Sequence, residues 1–229
     1  MIEGNRYNFM ISGLKNTFII TFGALAIGVV IGIIVAAIRT SFDKNKESLR
    51  TRKGFGYFSL SFLNSVCKIY LTIARGTPVV VQLMISYFII FASADDGVPV
   101  AIFAFGINSG AYVAEIFRSG IMSVDNGQFE AGRSLGFNYL QTMWHIVIPQ
   151  MFKVVLPTLC NEFIALLKET SVAGYVGVID LTKAGNTIAG RTFSYFIPLL
   201  SVAAIYLILV MILTWLVSLL ERRLRKSDH

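Results

Sequence analysis

The residues best suited to chemistry lie along one stripe of an apolar segment centred near residue 165. Small and polar side chains recur there at helical spacing, which predicts one face of a helix carrying Thr158, Asn161, Glu162, Ala165, Lys168, Glu169 and Val172. Leu159, Phe163 and Leu166 are predicted to point elsewhere. Ionisable groups inside a bilayer are costly and normally face a bundle interior or a water-filled path. We therefore expect this stripe to face a partner or a pore.

An amino acid carries one carboxylate and one ammonium group, so a site that offers both charge signs at helical spacing suits it. The predicted substrate path consists of Asn161, Glu162, Lys168, Glu169, Thr170 and Ser171. In this interpretation Glu162 and Glu169 contact cationic parts of the substrate. Lys168 then either meets the substrate carboxylate or balances the two glutamates. The alternative is that these residues form a buried charge network that braces the bundle.

Membrane-spanning helices must position this stripe. Of the 229 residues, 55% are hydrophobic and 14% are charged, whereas a soluble domain usually carries about 25% charged residues. Because one span takes roughly 20 apolar residues, the chain is long enough for about five. Proline at position 78 is expected to kink the second span, since it donates no backbone hydrogen bond. The prediction is one all-helical membrane domain over 1–229, with spans at about 12–38, 57–92 (kinked near 75–78), 98–117, 151–173 and 196–220.

The basic residues predict the orientation of these spans. Most of the 20 Lys and Arg residues follow the first or third predicted span or lie in the C-terminal tail. The positive-inside rule therefore places the N-terminus outside and the C-terminus in the cytoplasm. The net charge of +7 is then mainly a topology signal, and no nucleic-acid partner is expected. Lys68 and Arg75, seven residues apart, are expected to snorkel toward lipid phosphates from an interfacial helix.

Several chemical functions lack the residues they need. The sequence contains no GxxxxGK[ST] phosphate loop, so the chain is not expected to bind a nucleotide itself. His145 and His229 stand alone, and Cys67 and Cys160 are interpreted as small apolar fillers. We therefore expect no catalytic residues, no metal and no cofactor in this chain.

The loop over 118–150, between the third and fourth predicted spans, is unusually rich in apolar and aromatic side chains. A turn at 125–127, about two helical turns over 128–135 and a left-handed cap at Gly136 are predicted. A second short helix is predicted to begin after Asn138 and to end at His145, before Pro149. Because so short a helix is marginal in water unless it docks, the loop either binds another protein or packs on its own bundle.

The spacing of residues in this loop resembles a known pattern. Glu130-Ala131-Gly132, three residues, Gly136, nine residues and Ile146-Val147-Ile148-Pro149 resemble the EAA loop of ATP-binding cassette (ABC) importer membrane subunits. Gly132 and Ile148 depart from that pattern, which has alanine and leucine at these positions. Gly132 lowers helix propensity by roughly 1 kcal/mol relative to alanine.

Further segments resemble the polar amino-acid uptake permeases, which include the histidine, glutamine, arginine and cystine importers. They are RGTPVVVQ at 75–82, NSGAYVAEIFRSG at 108–120, GQ at 127–128 and LKETS at 167–171, where the family more often has Asp in place of Glu169. The resemblance implies the type I ABC importer fold and an ATP-driven permease that works by alternating access. It also implies a coupling helix for a separate ATPase, with Gly127, Gln128, Glu130, Ala131, Gly132, Leu135 and Gly136 at the contact.

The same resemblance implies partners and a location. Two cytoplasmic ATPase subunits would bind ATP and Mg, and an amino-acid-binding protein would deliver substrate from outside. A second permease, identical or a sister chain, would complete the complex in the cytoplasmic membrane of a bacterium.

Alternatives remain open at this point. An ion-coupled secondary carrier or channel would use Glu162, Lys168 and Glu169 to relay cations or protons, and a purely structural membrane subunit would need no path. The outward-facing segment 174–194 either caps the outer mouth, receives a binding protein or is an ordinary glycine-rich loop. Glu115 and Arg118, three residues apart, are expected to form an ion pair or a brace for the loop.

Overall fold

The computed structural model describes residues 6–52 and 55–226, and these residues are almost entirely helical. In chain order the helices are α1 (Arg6–Arg52), α2 (Phe55–Gly76), α3 (Val79–Ile85), α4 (Gly97–Met122), α5 (Asn126–Ser134), α6 (Tyr139–Thr142), α7 (Ile148–Glu169), α8 (Leu181–Thr192) and α9 (Phe196–Lys226). Single π-helical turns follow α3 and α6, and a 3-10 segment, Thr170–Val176, follows α7. The predicted all-helical class is confirmed.

Four helical stretches of the described chain are long and apolar enough to cross a membrane. They are Arg6–Lys44, Gly97–Met122, Tyr139–Val176 and Phe196–Leu224. A fifth candidate is the pair Gly56–Gly76 and Val79–Ile90, whose two halves meet at an angle of 107°. The predicted number of spans agrees with these helices when the bent pair is taken as one broken span.

The helices extend beyond the predicted spans. The first begins at Arg6 rather than near residue 12, and the fourth begins at Tyr139 rather than near 151. The prediction that a short helix ends before Pro149 is wrong, because α6 continues through the π-helical turn Met143–Val147 into α7. Pro149 follows shortly after that π-helical turn, in the first positions of α7.

Contacts between α1 and α4 form the centre of the bundle. Gly32 on α1 lies so close to α4 that a Cβ atom there would collide with the side chain of Val113. Gly110 on α4 likewise leaves room for Ile31 and for the Tyr70 hydroxyl. Small residues at these positions let two spans approach closely, which is how helices associate in lipid.

The bundle has two distinct ends, here named after the helices they carry. At the α5 end, the short helices α5 and α6 pack on a buried cluster that includes Phe117, Ile121, Val124, Phe129, Val147 and Met151. At the opposite α8 end, Met10 and Val202 pack against the buried face of α8, formed by Leu181, Ala184 and Ile188. The two short peripheral helices are thus held by separate apolar clusters.

Candidate functional site

Helix α5 begins and ends with strong local signals. The Asp125 carboxylate caps its N-terminus by accepting a 2.6 Å hydrogen bond from the Gly127 backbone N–H. At the other end Gly136 adopts a left-handed conformation with φ of 81°. The Gly136 N–H donates to the Arg133 carbonyl at 2.9 Å, and the Phe137 N–H donates to the Gly132 carbonyl at 3.0 Å. This is the Schellman pattern of a glycine-terminated helix, and it confirms the predicted turn, helix and cap.

One face of α5 is anchored to the rest of the chain. The Phe129 ring is buried, and the Lys44 ammonium of α1 lies 3.0 Å from its centroid. Beside it, a Cβ atom on Gly132 would lie 2.7 Å from Thr142 Oγ1 and 2.8 Å from Thr142 Cγ2 of α6. An alanine at this position would therefore require Thr142 or α6 to shift, so the glycine that departs from the EAA pattern fits the close approach of α6.

The opposite face of α5 is exposed, and Gln128 Oε1 on this face accepts a 3.3 Å hydrogen bond from Gln150 Nε2. Of the predicted ATPase-contact residues, Gly132 is buried, and the others are exposed: Gly127, Gln128, Glu130, Ala131, Leu135 and Gly136. Leu135 alone is 72% exposed. A short helix anchored on one side, with polar groups and one large apolar side chain on the other, is suited to dock in a cleft of another protein.

A chain of ion pairs links α1 and α4 near this end. Arg39 Nη1 lies 2.7 Å from Glu115 Oε1, and Arg118 Nε lies 3.1 Å from Glu115 Oε2. Arg118 also lies 3.6 Å from Asp43. The predicted pairing of Glu115 with Arg118 is confirmed. Sequence reasoning missed Arg39 and Asp43, because no local spacing connects them with their partners; Arg39 and Glu115, for example, are 76 positions apart.

The polar stripe of α7 lies on the outer side of that helix. Thr158, Asn161 and Lys168 are exposed, whereas Leu166 and Leu167 are completely buried. Glu162, Ala165 and Glu169 are partly buried, and Val172 lies beyond the end of α7, in the 3-10 segment Thr170–Val176. Lys168 therefore faces away from the core of the described chain, whereas the two glutamates are only partly exposed.

Two path candidates make specific contacts. Glu162 Oε1 accepts a 2.8 Å hydrogen bond from the hydroxyl of Ser109, which is buried in α4. Thr170 is also completely buried, and its hydroxyl donates to the Leu167 carbonyl at 2.8 Å. Thr170 therefore lies inside the bundle, and Ser171 is partly buried next to it. Among the six predicted path residues, Asn161, Glu162, Lys168 and Glu169 share the outer stripe.

The break between α2 and α3 adds a polar network that the sequence patterns did not predict. Pro78 has no N–H, so the carbonyl of Ala74, four residues earlier, has no helical donor. Asn108 Nδ2 and Gln82 Nε2 each donate to that oxygen at 2.9 Å. Gln82 Nε2 also lies 2.7 Å from the Thr77 hydroxyl. The motifs 75–82 and 108–120 thus meet at one point beside Ser109.

At the α8 end, Asp180 fixes the start of α8. Its carboxylate is completely buried and accepts hydrogen bonds from the Thr182 and Lys183 N–H groups at 2.8 and 3.2 Å. Burial raises the pKa of this carboxyl, and the two backbone donors partly offset that effect. Segment 174–194 therefore contains an anchored helix rather than an irregular loop. Its outer face exposes Lys183, Asn186, Gly190 and Arg191.

Within residues 6–52 and 55–226, no three His, Cys, Asp or Glu side chains are grouped closely enough to hold a metal ion. Cys67 and Cys160 are both free thiols. Cys67 is buried beside Leu71 and Ala74 of its own helix, which agrees with its interpretation as an apolar filler.

Comparison with known proteins gives a consistent result. Residues 54–226 match the family described as binding-protein-dependent transport system inner membrane component. The chain is 35% identical to the putative glutamine transport system permease protein GlnP of Rickettsia bellii, over 94% of this chain and 93% of that protein. It is 33% identical to the arginine transport system permease protein ArtQ of Bacillus subtilis, over 96% and 94%. It is 30% identical to the L-cystine transport system permease protein TcyB of Bacillus subtilis, over 98% and 90%.

Solved structures share the fold. A crystal structure of an amino acid ABC transporter with histidines is similar at a TM-score of 0.82 and 38% identity, covering 95% of this chain and 94% of that one. An inward-facing structure of the MetNI methionine ABC transporter has a TM-score of 0.80 over 98% and 99% of the two chains. Its identity of 19% supports the fold alone.

Proposed function

Because the chain belongs to the family of binding-protein-dependent transport system inner membrane components, we propose that it is the permease subunit of an ATP-driven amino acid importer. Its fold is that of the type I ABC importer permeases. The relatives are permease proteins for glutamine, arginine and L-cystine, so polar amino acids are the proposed cargo. The observation that carries the proposal is α5, a capped helix clamped on one face and exposed on the other in a chain of this family.

The exposed face of α5 is the proposed seat of a separate ATPase subunit. Phe129 and Gly132 hold the helix against α1 and α6, so a force applied to Glu130 or Leu135 is transmitted to the spans as a rigid-body tilt. ATP and Mg are bound by that partner, and this chain supplies no catalytic group. Closure of two ATPase subunits would draw two such helices together and open the path outward, and hydrolysis would reset it.

The proposed substrate path follows the outer stripe of α7. Asn161, Glu162, Lys168 and Glu169 present both charge signs on a face that the described chain covers only in part. One protomer offers only one wall for such a path, so a second permease, identical or a sister chain, is proposed to supply the other. Thr170 is left out of this path, because its hydroxyl is already satisfied inside the bundle.

Further partners follow from the two ends of the bundle. The α5 end is proposed to face the cytoplasm, which places the N-terminus outside and the C-terminus inside a bacterial cytoplasmic membrane. The outer face of α8, with Lys183, Asn186 and Arg191, is then the proposed contact for an extracytoplasmic amino-acid-binding protein.

The whole of 1–229 is proposed to form a single membrane domain. Nothing in the comparisons supports the ion-coupled carrier.

Glu130→Arg tests the coupling role directly. Glu130 is exposed on α5, so its charge reversal should leave folding intact while disrupting the contact with the ATPase. We expect ATP hydrolysis by the purified permease–ATPase complex to lose its stimulation by the loaded binding protein. Glu221→Arg, the same charge reversal near the end of α9, is the matched control and should leave stimulation unchanged. Full stimulation in the Glu130→Arg complex would contradict the proposed function.

A further inference from the structure

A basic groove lies between α1, α2 and α4. Its volume is about 550 Å3, and its polar walls come from Arg39, Lys68, Thr72, Arg75, Tyr112 and Glu115. Three cations and one carboxylate therefore line the same groove. That carboxylate is already used, because Glu115 pairs with Arg39 at 2.7 Å and with Arg118 at 3.1 Å.

The two α2 cations have no acidic partner within the described residues. Lys68 and Arg75 are exposed, and neither forms a salt bridge there. The Arg75 guanidinium carbon lies 5.5 Å from the centroid of the Tyr112 ring, which orients it along the groove. Arg39 adds a further unsatisfied donor, since its Nε atom is buried without an acceptor. Donors thus outnumber acceptors in the groove.

The depth of Arg75 argues against simple snorkelling toward lipid phosphates. Its neighbour Ala74 is hydrogen-bonded to Asn108, which lies near the middle of the span Gly97–Met122. An arginine at that depth on a lipid-facing surface is costly. Lys68 lies seven residues, or about 10 Å, nearer to the α5 end on the same face of α2. Ionisable groups at this depth normally face a bundle interior or a water-filled cavity, so the two exposed cations favour a groove that holds water.

We propose that Lys68 and Arg75 bind the α-carboxylate of the transported amino acid as it moves through the groove between α1, α2 and α4. This inference rests on the proposed import function. It assigns the carboxylate to α2 and leaves Glu162 and Glu169 of α7 for the cationic parts of the cargo. Every amino acid carries the α-carboxylate, so this contact would serve the whole substrate class, whereas side-chain selectivity would come from other residues.

Carboxamide analogues, which lack the carboxylate charge, test the inference. The permease–ATPase complex is placed in phosphatidylcholine nanodiscs, and binding of radiolabelled L-arginine and L-glutamine is competed with L-argininamide and L-glutaminamide. Wild type should prefer the acid over the amide by about 10- to 100-fold, as expected for a charge-assisted hydrogen bond. The Lys68→Gln/Arg75→Gln double variant should lose that preference, to below about threefold, with its affinity for the amides unchanged. The Lys68→Arg/Arg75→Lys variant should keep the preference for the acid, because both positive charges are retained.

The controls separate this contact from its rivals. Lys15→Gln removes an exposed cation outside the groove and should keep the preference. The inference would be overturned if the double variant kept its preference for the acid over the amide, or if Lys168→Gln lost that preference instead. In either case, ATP-driven uptake by wild type would still support the proposed function. If the preference of the double variant for the acid over the amide differs from that of wild type only when phosphatidylglycerol is added to the nanodiscs, the cations bind a lipid headgroup and the inference is wrong. Absence of any ATP-driven uptake by wild type would contradict both proposals.

Discussion

Asn108 donates a 2.9 Å hydrogen bond from its side-chain amide to the carbonyl oxygen of Ala74, 34 residues earlier in the chain. That oxygen lost its helical donor to Pro78, and Gln82 donates to it as well, at 2.9 Å. Backbone groups inside a bilayer must be satisfied by protein, because water is absent. The sharp bend between α2 and α3 is therefore stable only because two side-chain amides replace the missing backbone donor.

Asn108→Leu should destabilise the broken span. The change removes a donor to a buried carbonyl, and we expect a loss of about 1–3 kcal/mol, with a lower melting temperature. Thermal unfolding of the purified chain in detergent, followed by circular dichroism, measures the effect. Pro78→Ala in the same chain should recover part of the loss, since it restores a backbone N–H near Ala74. Equal melting of Asn108→Leu and wild type would show that the hydrogen bond contributes little.

Gly132→Ala should disturb the seat of α5. The added methyl group would lie 2.7 and 2.8 Å from the Thr142 side-chain atoms, so α5 and α6 must move apart. We expect weaker stimulation of ATP hydrolysis in the complex, despite the higher helix propensity of alanine. Thr142→Ala removes both colliding atoms, and the double variant should regain most of the stimulation. If Gly132→Ala alone behaves as wild type, the close approach does not constrain this helix.

Arg39 and Glu115 should be energetically coupled. Their side chains are mostly buried and 2.7 Å apart, so removing either charge leaves the other without its partner. In a double-mutant cycle with Arg39→Gln and Glu115→Gln, we expect a coupling energy of about 1 kcal/mol or more in the free energy of unfolding. Additive single effects would mean that the two charges act independently, with Arg118 holding Glu115 instead.

Glu162→Gln and Glu169→Gln distinguish a substrate path from a structural brace. If the two carboxylates contact the cationic side chain of the cargo, both variants should weaken L-arginine binding by about tenfold while leaving binding of L-glutamine, whose side chain is neutral, nearly unchanged. If they brace the bundle, the melting temperature should fall, and binding of both amino acids should change equally. Unaltered binding and selectivity in both variants would remove the two glutamates from the path.

The fold and α5 were largely predictable because their signals are local. Span number follows from apolar length, and the Asp125 turn and Gly136 cap specify the ends of a short helix. The interior polar contacts were not predictable from spacing, because they join residues far apart in the chain. Arg39 meets Glu115 across 76 positions, and Glu162 meets Ser109 across 53. Gly132 could be identified from the sequence as a departure from the EAA pattern. The close approach of the Thr142 side chain to Gly132 could be identified only from the packing of α6.

The proposed function requires that a separate ATPase drives amino acid import through this chain. Uptake of a radiolabelled panel of L-glutamine, L-arginine, L-histidine and L-cystine into proteoliposomes measures this dependence. These vesicles contain the permease, its ATPase and its binding protein, with ATP on the ATPase side. We expect at least one amino acid to accumulate only when hydrolysable ATP is present, and Glu130→Arg to abolish this accumulation. Uptake that follows a sodium or proton gradient and ignores ATP would contradict the proposed function.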